Sequence, residues 1–146
     1  MERKNYIVSL RYENYELFRD NQFKVIGFPE KCKVAELLQP GDRLVLYIAS
    51  RKSKIAGILE ISKKLKWCND LIFDDFFPRR YETKVICMLE ENKMPDMGNV
   101  KNHLSFIDPK NKKWGVYFMK ALVKITKKDY NYIYDVCKRS KCNVSK

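Results

Sequence analysis

The side chains that could act chemically in this 146-residue chain are few and scattered. Five cysteines (Cys32, Cys68, Cys87, Cys137 and Cys142) form no Cys-x-x-Cys pair, and His103 is the only histidine. A zinc site of ordinary spacing is therefore not expected, and the thiols read as reduced and mostly structural. A Ser–His or Cys–His nucleophile pair would rest on His103 alone, and nothing beside it in the sequence supports one. The cations are more informative. Arg79-Arg80 and Lys112-Lys113 are paired, and Ser62-Lys63-Lys64-Leu65-Lys66-Trp67 is a basic run with an embedded indole. Cations meet phosphates while rings stack on bases, so such interleaving suits nucleic acid. The same run also reads as a strand end with a solvated lysine face. Ser9, a lone hydroxyl in an apolar stretch, also reads as a side chain bonded to nearby backbone.

Thirty Lys and Arg against 18 Asp and Glu leave a formal charge of +12. That excess repels itself in a folded chain, and its usual counterpart is a polyanion. Nucleic acid is the first partner to consider and an anionic membrane surface the second. No apolar stretch approaches the roughly 20 residues needed to span a bilayer. The N-terminus leads straight into a strand with no signal-peptide core, so an intracellular protein is expected. With 45% apolar residues the chain can bury a real core.

The elements that must position these residues centre on Pro40 to Ile61. Pro40-Gly41-Asp42 is a turn signal opening onto Arg43–Ala49, a run apolar on both faces and therefore expected inside a sheet or small barrel. Residues 50–54 break the run before a second strand, Ile55–Ile61, so the two read as an antiparallel pair. Gly57 marks a bend or a close backbone approach. Before the pair come a short strand, Tyr6–Leu10, and a helix with Asn14 as N-cap and Tyr15 and Phe18 turned inward. An extended segment, Phe23–Pro29, and a short helix, Val34–Leu38, follow. After the pair come an acidic-aromatic loop, Asp70–Pro78, and a third strand, Arg79–Leu89. Trp114 to Met119 reads as the start of a further strand, continued by Leu122–Ile125. A final helix is capped by Thr126-x-x-Asp129, with Tyr130, Ile133, Tyr134 and Cys137 at i, i+3, i+4 and i+7. Lys138 onwards reads as a frayed basic tail.

The order of these segments resembles an EVE domain, in the PUA-like superfamily that also holds YTH and ASCH domains. The resemblance covers roughly residues 5 to 135. It rests on the first strand ending at Ser9, the Val25–Pro29 segment, the Pro-Gly-Asp-Arg-Leu-Val-Leu-Tyr strand, and the Ile-Ala-Gly-Ile strand. Phe106-Ile107 ahead of Lys113-Trp114, and the capped helix with Asp129 to Ile133, complete it. It implies an α+β fold: a PUA-like mixed β-barrel of about five to six strands flanked by short helices, one domain over 1–137 with a basic tail over 138–146. It also implies a cleft for a single flipped, possibly modified, base. Residue by residue it assigns that cleft Ser9, Ile26, Gly27, Tyr47, Ser50 and Trp114. Ile26 stands where relatives often carry a stacking Trp; Phe23, Phe28 and Trp67 are the rings available to replace it. Trp114 reads equally as a core residue.

Three functions follow. The first is a non-catalytic module binding DNA or RNA, with Arg79, Arg80, Lys112 and Lys113 on phosphates and no cofactor or metal. The second is an ASCH-like amidohydrolase, for which Lys24, Glu60 and Ser9 are the available groups. The third is a protein-interaction domain whose charge serves solubility.

Overall fold

The computed structural model describes residues 3–49, 53–73, 75–108 and 110–142. Within them six strands form one sheet: β1 (Asn5–Leu10), β2 (Val25–Phe28), β3 (Arg43–Ile48), β4 (Lys54–Lys64), β5 (Arg79–Met88) and β6 (Leu122–Ile125). Their order is β2-β5-β4-β3-β1-β6. β1 lies parallel to β3 and the other neighbours are antiparallel, so the sheet is mixed. It curls into a half-barrel with three α-helices, α1 (Tyr12–Asp20), α2 (Met97–Val100) and α3 (Lys127–Cys142). This is the α+β, PUA-like architecture expected from the sequence.

The two-faced apolar run does lie inside the sheet. Leu44, Val45, Leu46 and Ile48 of β3 are fully buried between β1 and β4. The turn that feeds it has Gly41 at φ +96°, a conformation that suits glycine. Beside it the buried Asp42 carboxylate accepts hydrogen bonds from the backbone N–H groups of Lys4 and Gln39, both at 2.9 Å. Arg43 N–H in turn donates to the Lys4 carbonyl at 3.0 Å. The start of β1 is thereby tied to the start of β3, in the register that sets Ser9 beside Tyr47. Gly57 does mark a close approach: a Cβ there would collide with the Cys87 carbonyl and Met88 on β5. The β3–β4 and β4–β5 registers both slip next to it.

Three local expectations are corrected. Asn14 is not the N-cap: α1 begins at Tyr12, and turning Tyr15 and Phe18 inward carries Asn14 onto the same buried face. Trp114–Phe118 is a 3-10 helix rather than a strand, because Trp114, Tyr117 and Phe118 follow a helical spacing. Residues 138–142 are no frayed tail, since α3 continues to Cys142; residues 143–146 of the expected tail lie outside the described residues. The Thr126 cap is present, its Oγ1 accepting from Asp129 N–H at 3.1 Å. The Asp129 carboxylate points elsewhere and accepts from the N–H and hydroxyl of Ser105. Among the described residues no helix is long and apolar enough to cross a membrane, and no group of three His, Cys, Asp or Glu gathers as a metal site.

The core makes a pH prediction. The Tyr81 hydroxyl donates to the Ala35 carbonyl at 2.5 Å. Burial, then the nearby Glu36 carboxylate, pushes its pKa up to about 12. Burial pushes the Cys137 thiol up to about 12 as well. Both groups keep their protons longer folded than unfolded, so their stabilising contribution is complete below about pH 9 and is lost as pH rises towards about 12. Tyr81→Phe should lower stability by about 1 kcal/mol at neutral pH through the lost hydrogen bond. It should also reduce the loss between about pH 10 and about pH 12, leaving the shares of the thiol and of Tyr6, Tyr15, Tyr47 and Tyr130, which burial also pushes up. Urea unfolding across that range checks both; an unchanged alkaline slope would remove Tyr81 from the account.

Candidate functional site

In open α/β sheets, ligand crevices lie beyond the carboxyl ends of the parallel strands. Here β1 and β3 end side by side at Leu10 and Ile48, and a cleft of about 350 Å³ opens there. That volume falls within the ~300–1,000 Å³ of small-ligand sites. Its walls come from the start of α1, from Pro29 and Lys31 after β2, from Phe77, and from the segment Phe118–Ala121. Ser9 N–H donates to the Ala121 carbonyl at 3.0 Å, which pins that segment beside the end of β1.

Two rings shape the walls. Phe118 is braced by Tyr47, Phe106 and Trp114, with ring centroids 4.9, 6.0 and 6.2 Å away. Phe77 sits tight against β2 because Gly27 has no side chain; a Cβ there would fall 2.9 Å from both the Phe77 Cβ and its carbonyl oxygen. The loop carrying Phe77 hangs from Arg80, whose guanidinium donates to the Phe77 carbonyl at 3.0 Å and to the Asp70 carbonyl.

Two polar atoms in the cleft residues lack partners. Ser9 Oγ and Asn14 Oδ1 are buried without a hydrogen bond; the third such atom among the described residues is Asn5 Oδ1, at the far end of β1. Buried polar groups are normally satisfied, so each orphan calls for an explanation. Asn14 Nδ2 donates to Asp75 Oδ2 at 3.4 Å, and Arg11 donates to the same oxygen at 3.1 Å. A carboxylate can only accept here, so the amide nitrogen must face Asp75 and the amide oxygen is left over. The residues lining the cleft therefore carry one unpaired acceptor and one unpaired hydroxyl just beneath its surface, beside aromatic walls. An N–H donor on the edge of a flat ring is the chemistry that complements them.

The sequence candidates divide by position. Ser9 lines the cleft, while Gly27, Tyr47 and Trp114 stand behind its walls. Ile26 and Phe28 are core residues of β2, with Phe28 against Tyr81. Phe23, at φ +56° after α1, turns its ring onto Phe18 and Tyr15. Trp67 is 49% exposed outside the cleft, under the Arg79 guanidinium and beside Phe76. Ser50 lies outside the described residues. Among the cations, Arg79 is held by Glu36 at 2.7 Å and by the Glu30 carbonyl, and Arg80 by its loop. Both guanidinium groups thus have protein partners. Lys112 and Lys113 are exposed and make no ion pair among the described residues.

The amidohydrolase candidates do not meet. Glu60 is paired with Arg43 at 2.7 Å and Lys84 at 3.1 Å, Lys24 is exposed at the approach to β2, and neither lines the cleft with Ser9. Sequence reading missed Asn14, Phe77, Phe118, Lys31 and Lys120, all of which line it. The i, i+3, i+4 spacing of Trp114, Tyr117 and Phe118 was the one available signal for the 3-10 turn that presents Phe118.

Searching protein-family models returned no match. A UPF0310 protein of Pyrococcus horikoshii is 31% identical over 137 residues, covering 83% of this chain and 90% of the relative. The crystal structure of human THYN1 in complex with 5-methylcytosine-containing DNA aligns with a TM-score of 0.60, at 9% identity and over 91% of this chain and 96% of that one. The Mmi1 YTH domain in complex with RNA aligns at 0.66, with 6% identity, over 97% of this chain and 82% of that one. At such identities these two likenesses are of fold alone. The two structures show the PUA-like fold shared with THYN1 and the YTH domain, and the 31% identity across most of both chains establishes that this protein belongs to the UPF0310 family.

Proposed function

We propose that the protein is a non-catalytic nucleic-acid-binding module that takes one flipped base into the cleft at the ends of β1 and β3. The observation that carries this reading is the pairing of two orphaned buried polar atoms, Ser9 Oγ and Asn14 Oδ1, in one aromatic-walled cleft. A base would stack near Phe77 and Phe118, give an edge N–H to Asn14, and exchange a hydrogen bond with Ser9. Extruding a base costs a few kcal/mol, which stacking and edge hydrogen bonds in a fitted pocket offset. The net charge of +12 supports a polyanionic partner. So do structural neighbours solved with methylcytosine DNA and with RNA. A binding role also fits the separation of Ser9 from Glu60 and Lys24.

Fluorescence anisotropy tests the reading, using short oligomers that differ at one central base, plain or methylated, at two salt concentrations. We expect a preference of about tenfold or more for one base, equivalent to about 1.4 kcal/mol. It should be lost in Ser9→Ala and Asn14→Leu. A base whose edge amine is doubly methylated, such as N4,N4-dimethylcytosine, should be rejected for want of an N–H. Equal binding of every oligomer, unchanged in both variants, would leave only the basic surface.

The same orphan hydroxyl predicts a trade-off. An unsatisfied buried polar group costs about 1–3 kcal/mol. Ser9→Ala should therefore leave the free protein as stable as before, or more stable by about 1 kcal/mol, while base binding falls. Thermal or urea unfolding of the ligand-free variant reads this directly. A loss of stability above about 1 kcal/mol would mean that the hydroxyl already has a partner in the free protein.

A further inference from the structure

The cleft does not end at its own walls. A second groove of about 480 Å³ adjoins it and shares Pro29, Lys31 and the segment Met119–Ala121. The two concavities thus lie on either side of a common rim. The groove has two kinds of side chain that have no use in the free protein. Val34 and Met119 are 42% and 80% exposed, both in this one groove, and Leu122 and Pro29 complete its apolar lining. Lys31, Lys33 and Lys120 stand around it, exposed, and none makes an ion pair among the described residues. Elsewhere many basic side chains are engaged: Arg11 with Asp75, Arg19 with Glu91, Arg43 with Glu60, and Lys64 and Arg79 with Glu36.

An apolar seat ringed by free cations, continuous with a base-sized cleft, matches the chemistry of a nucleotide: base on the apolar surface, phosphates on the cations. We infer that this groove is a second nucleotide seat, taking the base next to the flipped one, so that the protein reads single-stranded nucleic acid. This rests on the base-cleft reading above. A paired duplex keeps that neighbouring base in its stack and offers the groove only phosphates, leaving Val34 and Met119 uncovered. A single strand leaves the neighbour free to turn in. The shared rim supplies the geometric link, because Lys120 and Lys31 face both concavities and can meet the phosphate that joins the two nucleotides.

The test uses the full chain and five probes: a mononucleoside of the preferred base, a single-stranded hexamer containing it, two versions of that hexamer with an abasic site on one side of the base or on the other, and the matching duplex. Wild type should bind the intact hexamer at least about tenfold more tightly than the duplex, and likewise more tightly than one of the two abasic hexamers. Val34→Glu should remove the gap between intact and abasic hexamers without changing mononucleoside binding. The triple variant Lys31→Gln, Lys33→Gln, Lys120→Gln should lower the salt slope by about 2, at roughly 0.7 per phosphate contact on a single strand. A charge-matched control, Lys124→Gln, Lys127→Gln, Lys128→Gln, at the opposite end of β1, should keep the wild-type slope.

If the mononucleoside and the intact hexamer show base preference while both abasic hexamers bind as well as the intact one, the second seat is overturned and the cleft survives. Duplex binding equal to single-strand binding, or a triple variant that behaves as its control does, overturns it too. Absence of base preference in every probe overturns the cleft and the groove together.

Discussion

One buried carboxylate fixes the geometry from which everything else follows. Asp42 is 3% exposed and its oxygens accept from two backbone N–H groups, one on each side of the chain crossing. A charge in that position is stable only while those donors stay in place. It therefore specifies where β1 starts relative to β3. Parallel strands need such an external reference because no hairpin sets their register. A slip of one residue would turn Ser9 to the other face and would bring a different backbone N–H to the Ala121 carbonyl. The cleft's polar floor is, in that sense, set about a strand's length away.

Charge is distributed with the same economy. Arg43 links three elements, donating to Glu60 on β4 and to the Tyr130 hydroxyl on α3 from its place at the start of β3. Lys84 of β5 takes the other oxygen of Glu60. These partly buried pairs lock the end of the sheet away from the cleft. Lys31, Lys33 and Lys120, around Pro29 and Met119, make no ion pair among the described residues, though Glu30 stands next to Lys31, and they keep most of their field for a ligand. The net charge is thus a poor guide by itself; what matters is which cations the fold has already neutralised.

Much of this was legible in the sequence. The turn at Pro40-Gly41-Asp42, the two central strands and the inward face of α3 carry their own local signals, and those signals agree with the tertiary structure. The mixed, barrel-like sheet was implied by the resemblance to EVE domains that the order of segments carries. The site was less legible because its walls are made by residues whose local signals point elsewhere. Asn14 looks like a helix cap, and only the packing of Tyr15 and Phe18 shows that it faces inward. Arg79 and Arg80 look like a phosphate clamp, yet Glu36 and three backbone carbonyls occupy them. Ile26, Gly27 and Phe28 sit in one short strand, and of these only the glycine touches the cleft, through the ring it admits. Which ring closes a cleft depends on loops brought together from distant parts of the chain, and local periodicity does not carry that information.

The hanging of Phe77 on Arg80 has a consequence for how such a domain diversifies. The loop from Asn69 to Pro78 contributes a cleft wall but, among its described residues, only an isolated bridge, Ile72 with Asp75, to β pairing. Doubling the length of a surface loop costs only about 0.6 kcal/mol in closure entropy. Insertions between Trp67 and Asp70 can lengthen the loop while both carbonyls held by Arg80 and the β2–β5 pairing stay in place. The shape of this wall and the pairing of the sheet are therefore separable traits on this scaffold, and a lineage can alter the one without first having to rebuild the other.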